Sequence, residues 1–175
     1  MYTGNFDYDK VNAIKIILEN QEGKILLIQE PADNEWMPLH WGLPGGKPTK
    51  NESISETLKR KVEKDIGIDV EIEGIVEIEE ILMENRTVLM YIIKAKTTLN
   101  EVKGQINSFK WVSKEDIDKM DISEFTEYYN KRLLSDNFEN KLHEPISLSV
   151  IKTGEYFKMI DEPNYIKWIE SGNKK

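Results

Sequence analysis

The chain has 175 residues, enough for one domain with a continuous apolar core that needs neither disulfides nor a structural metal. Its 32 acidic residues outnumber 24 basic ones, 24 − 32 = −8, so a nucleic-acid polymer would on average be repelled. The lack of cysteine removes thiol chemistry and zinc–thiolate centres, and with no apolar leader at "MYTGNFDYDK" and no apolar run longer than "VLMYII" a cytoplasmic protein without a membrane partner is expected.

In chain order, a polar arm leads into two β-branched runs, "VNAIKIILEN" and "KILLIQE", separated by "QEG", which reads as a hairpin. Next, "PADNEWMPLHWGLPGGKPTKN" holds four of the six prolines and three of the ten glycines. It is therefore a long surface loop, the kind of segment that carries function. From Ser53 to Asp65 the period changes: Ile54, Leu58 and Val62 recur at every fourth position, Ser53 and Glu56 form a capping box, and Gly67 lies just past the end. This predicts a helix with marked ends. Strands are expected at "IDVEIEGIVEIEE", "TVLMYIIKAK" and "SFKWV", a second helix at "SKEDIDKM", and further helices at "ISEFTEYYNKRLLSDNF" and "PNYIKWIES".

Taken together, "GLPGGKPTKNESISETLKRKVEKDIGI" resembles the box of the Nudix (MutT-like) hydrolase family, Gly-x5-Glu-x7-Arg-Glu-U-x-Glu-Glu-x-Gly-U, where U is a bulky aliphatic residue. With Gly46 as the first glycine, Glu52, Arg60, Val62, Gly67 and Ile68 fall into register without a gap. The resemblance implies an α/β fold, an α/β/α sandwich around a mixed β-sheet with extra carboxyl-terminal helices. It would form a single domain over 1–175, with its core at about 8–139 and a helical extension at about 140–175. It also implies hydrolysis of a phosphoanhydride in a nucleoside diphosphate-linked compound, with Mg²⁺ held by the Gly46 carbonyl, Asp65 and Glu52.

The chemistry of such a box asks for several carboxylates on one helical face, because Mg²⁺ is a hard cation that takes oxygen ligands. Here the three glutamates of the family's Arg-Glu-U-x-Glu-Glu segment correspond to Lys61, Lys64 and Asp65. Two acids have become bases and one is shorter by a methylene. At about 100° per residue Lys61, Lys64 and Asp65 share one arc, while Glu56 and Glu63 project away from it. Two readings follow. One is a Mg²⁺-dependent hydrolase of weak activity, in which Asp65, Lys61, Lys64 and Arg60 form the catalytic set and the metal is weakly held or absent. The other is a non-catalytic module whose lysines hold a phosphate-containing, nucleotide-like ligand without metal.

Around this set, Glu52 is either an outer metal ligand or the ion-pair partner of Arg60. Gly45 and Gly46 shape the turn that meets the ligand, Trp36 is a candidate for stacking on a base, and Trp41 is a core residue or a second stacking face. Glu77, Glu79, Glu80, Glu84 and Glu101 lie on or beside strands; most are expected to be solvated, and one could serve as a base. His40 and His143 are too isolated to argue a site. Tyr128, Tyr129, Tyr156, Tyr165 and Trp168 would pack the added helices or a homodimer partner.

Overall fold

The computed structural model describes residues 9–34, 37–83, 86–106, 108–125, 134, 147–153 and 156–159. Its centre is strand β1, Asp9–Glu19, followed by β2, Ile25–Gln29. The side chains of β1 alternate strictly. Ala13 and Ile17 enter one apolar cluster, whereas Ile14, Ile16 and Leu18 enter another on the opposite face. A strand buried on both faces reads as a nearly continuous apolar run, as "AIKIIL" does.

The turn between β1 and β2 is held by Asn20, whose side-chain oxygen accepts from the amides of Glu22 and Lys24, and by Gly23 at φ 71°. The hairpin pairing is short, with Glu19 opposite Ile25. Beyond it the two strands part. A two-residue strand, β3 (Trp41–Gly42), pairs with β2, and another, β4 (Gly45–Gly46), pairs with β1 at Ile14 and Lys15. The splay leaves a cleft bordered by β1, the glycine turn and the end of β2.

After β4 comes helix α1, Ile54–Arg60, which runs without a break into a wider π-helical stretch, Lys61–Ile66. The Ser53–Glu56 capping box is formed, and Gly67 at φ 68° ends the helix with its amide on the Val62 carbonyl at 2.7 Å. Val62 and Ile66 lie against Ile14, Ile16 and Ile93 on one face of the sheet. Full burial of a side chain such as Ile66 stabilises by about 2 kcal/mol.

Strands β5, Glu71–Met83, and β6, Arg86–Lys96, pair antiparallel, and β6 runs parallel to β1 from Asp9↔Arg86 to Glu19↔Lys96. Strand β7, Phe109–Val112, joins β2, and α2, Lys114–Lys119, follows with its own Ser113–Asp116 capping box. Ile117 of α2, with Phe125 and Leu134, covers the second face of the sheet. The sheet is mixed and its centre is covered on both faces, as expected for an α/β/α sandwich, while Ile75 and Ile78 of β5 stay exposed.

The carboxyl-terminal part departs from the expected helical extension. Ser147–Thr153 forms β8, parallel to β5 at Glu80–Met83, and Tyr156–Met159 forms β9 against β8. Their alternation of Leu148 and Val150 with serines is a two-residue period, and the edge of β5 supplies the hydrogen-bond partners. The helix expected over 122–138 begins as a short 3₁₀ turn at Ile122–Glu124. Apart from Phe125 and Leu134 its remainder lies outside the described residues, as do the helix expected at 163–171 and His143. No helix among the described residues is long and apolar enough to cross a membrane.

Candidate functional site

The glycine turn and the helix are locked together by one ion pair. Arg60 presents its fork to Glu52, Nε to Oε1 and Nη2 to Oε2, both at 2.7 Å, and Nη2 also donates to the Lys47 carbonyl at 3.1 Å. The Thr49 amide donates to the same carboxylate at 2.7 Å. Glu52 is only 11% exposed in its side chain, and the guanidinium, followed by the Thr49 amide, holds its carboxyl down to about 2. Both carboxylate oxygens are therefore committed to the scaffold.

One residue on, Lys61 closes a different pair. Its Nζ donates to Asp65 Oδ2 at 2.7 Å, one turn further along the helix. The aliphatic end of Lys61 crosses directly over Gly46, where an added Cβ would stand 2.5 Å from Lys61 Cε. Gly46 has φ 151°, so the position needs glycine for backbone and for space alike. The three ligands expected for Mg²⁺ are thus each engaged or covered: Glu52 by Arg60, Asp65 by Lys61, and the Gly46 turn by the lysine stem. Among the described residues no group of three or more His, Cys, Asp or Glu is placed to hold a metal ion. This donor set does not fit Mg²⁺, which needs several anionic or neutral oxygens turned toward one point.

The cleft beside these residues has a volume of about 460 Å³, within the range of small-molecule sites. Lys61, Asp65, Gly45 and Gly46 line it. So do three further cations, Lys15, Lys47 and Arg86, and two residues from the β2 side, Glu30 and Asn34. Its floor is aliphatic, from Ala13, Ile28, Ile81, Val88 and Met90. Four cations against two carboxylates, 4 − 2 = +2, make this a positive pocket in a chain of net charge −8. Lys15 is buried with its ammonium near the Leu43 carbonyl at 3.4 Å. Burial, and then the neighbouring charge of Arg86, push the Lys47 ammonium down from the ordinary lysine value.

The structure brings Lys61, Asp65, Gly45 and Gly46 together at the cleft and sets Arg60 and Glu52 behind them. It leaves Lys64 exposed and outside the lining, because the wider π-turn does not keep the spacing of 100° per residue. Trp41 packs against the core with the Lys110 ammonium 4.1 Å from its ring centre, and it too lies outside the lining. Trp36 and Glu84 fall outside the described residues. Glu77, Glu79, Glu80 and Glu101 do not line the cleft, and Glu79, expected to be solvated, is instead buried, because it shares the inward face of β5 with Ile81.

Lys15, Lys47, Arg86, Glu30 and Asn34 line the cleft although they belong to no motif in the sequence. Lys15 carried a usable signal, a lone cation inside the apolar run "AIKIIL"; Lys47 directly follows the glycine pair. Arg86 and Glu30 carried none, since only the sheet brings them near the turn.

Residues 9–132 match the NUDIX domain model, and the chain belongs to that family. Its fold is similar to that of a MutT protein from Methanosarcina mazei Go1, at TM-score 0.64 and 21% identity over 77% of this chain and 98% of that one. It is also similar to a NUDIX hydrolase from Nitrosomonas europaea, at 0.62 and 18% over 77% and 93%. A NUDIX-family hydrolase from Clostridium perfringens gives 0.58 and 15% over 77% and 99%. At these identities the likeness is one of fold. Among curated protein sequences none matches the chain.

Proposed function

We propose that this Nudix-domain protein binds a diphosphate-bearing, nucleotide-like small molecule in the cleft without a divalent metal, and that it does not cleave the phosphoanhydride. The observation that carries the reading is the Lys61–Asp65 pair at 2.7 Å across Gly46. An ammonium there supplies positive charge where a metal-dependent relative would need anionic ligands. At an effective dielectric of about 20, unit charges 4 Å apart interact by about 4 kcal/mol, so a divalent ion beside a lysine is opposed by several kcal/mol. A phosphate oxygen in the same place is attracted instead. Lys15, Lys47 and Arg86 line the same cleft and add to that attraction.

Calorimetric titration with ADP-ribose tests the reading, run once in EDTA and once in Mg²⁺, with chromatography of the mixture afterwards. Equal affinity in both buffers and intact ADP-ribose are expected. Binding and cleavage that both require Mg²⁺ would establish a hydrolase and overturn the proposal, and so would an absence of binding in either buffer.

A further inference from the structure

We infer that the cleft takes a two-ended ligand, with a phosphate or diphosphate at one end and an N–H donor at the other, and that Glu30 is the residue that selects for the second end. This rests on the metal-free reading above. The anionic end is set by Lys47 and Arg86, which line the cleft with Lys61. Arg86 lies near enough to Lys47 for its charge to act on that ammonium, and an anion shared by the two offsets the repulsion.

Glu30 is the residue that a purely anion-binding cleft does not explain. A carboxylate facing the same space repels phosphate, yet this one is held firmly in place. Its amide donates to the His40 carbonyl at 2.9 Å, and its own carbonyl accepts from the Leu39 amide at 3.2 Å. Asn34 Nδ2 donates to Glu30 Oε2 at 2.7 Å, while Asn34 Oδ1 accepts from the Met37 amide at 3.1 Å. The amide thus orients the carboxylate, and the loop orients the amide. An ordered acid in a cationic cleft suits a ligand that carries its own donor, because a charge-assisted N–H···O bond is stronger than a neutral one.

Glu30 follows β2 and Arg86 opens β6, with β1 between those two strands, so a ligand that touches both lies across β1. Ala13 of β1, Ile28 of β2 and Val88 of β6 line the same cleft, and this aliphatic lining suits an uncharged body such as a sugar or a ring.

Titrations in EDTA with pyrophosphate and with ADP, which adds ring nitrogens and an amine to the same head group, separate the two ends. Wild type is expected to bind ADP about tenfold more tightly than pyrophosphate. Glu30→Gln should weaken ADP by about tenfold while leaving pyrophosphate unchanged or tighter, since one repulsive charge has gone. Arg86→Gln should weaken both probes together. Should Glu30→Gln disturb the thermal melt, Asn34→Ala replaces it, with loss of ADP affinity alone expected. Equal affinity of wild type for the two probes, or equal loss of both in Glu30→Gln, overturns the donor end and leaves metal-free binding standing. Failure of both probes to bind wild type overturns this inference and the proposed function together.

Discussion

Arg60 and Lys61 are neighbours in the chain, yet they close on carboxylates in opposite directions and to different effect. Arg60 reaches back eight residues and grips Glu52 with two parallel bonds, taking the Lys47 carbonyl as well. Lys61 reaches forward four residues and makes a single bond to Asp65, at the wall of the cleft. Guanidinium is a planar fork that fixes geometry, whereas ammonium is a point charge on a flexible stem. The first pair therefore acts as a joint between loop and helix. The second leaves a cation that a ligand can draw toward itself. The half of the box that shapes the turn is intact in this chain, and the half that would carry acids has changed sign.

The two pairs lose their difference most directly through a change at Lys61. Lys61→Glu replaces the cation with an acid beside Asp65 and uncovers the Gly46 turn, so two carboxylates and a carbonyl face one point. Mg²⁺ or Mn²⁺ binding on the order of millimolar is expected to appear, with a fall of about tenfold or more in ADP-ribose affinity in EDTA. Calorimetry with metal alone and with ADP-ribose reads both. Metal binding that stays undetectable would show that the lysine is not what keeps the ion out.

A smaller effect is expected at the joint. Glu52 has a carboxyl held down to about 2 against an ordinary value of 4.5, so the folded state binds its proton less readily than the unfolded state. The resulting stability is fully present above about 4.5 and is lost as pH falls toward 2. Glu52→Gln should lower the melting temperature at neutral pH by several degrees and flatten its dependence across that acid window. The same variant should loosen ligand binding only indirectly, through the turn. A wild-type melting profile that is flat between those pH values would count against the joint.

Much of this architecture was legible from local pattern. The apolar, β-branched run "AIKIIL", the capping box from Ser53 to Glu56 and the stop at Gly67 are each written within a few residues, and the spacing from Gly46 to Gly67 tied them to one family frame. What stayed hidden depends on contacts between distant segments. Glu30 and Arg86 meet one cleft only because β1 and β2 part and β4 takes the vacated edge. The short β8 could not be told from a helical tail because its partner, Glu80–Met83, lies more than sixty residues earlier. The π-turn was equally invisible, since its cause is tertiary. The amides of Lys103 and Gly104 cap the Ile66 carbonyl and that of Gln105 caps the Lys64 carbonyl, so an incoming loop holds the widened end of the helix.

That widened turn yields the smallest prediction, and the one that most sharply separates a helical wheel from the folded chain. On a regular helix Lys64 would stand beside Lys61 and share its ligand, and Lys64→Glu would then cost as much affinity as Lys61→Glu. In the π-turn Lys64 is exposed and does not line the cleft, so its charge meets the ligand only through water and salt. Lys64→Glu is therefore expected to change ADP-ribose affinity by less than about twofold at physiological salt, and to confer no metal binding of its own. A double variant with Lys61→Glu should behave as Lys61→Glu does alone. A tenfold loss from Lys64→Glu would mean that the helix re-forms a regular turn around the ligand and swings the second lysine inward.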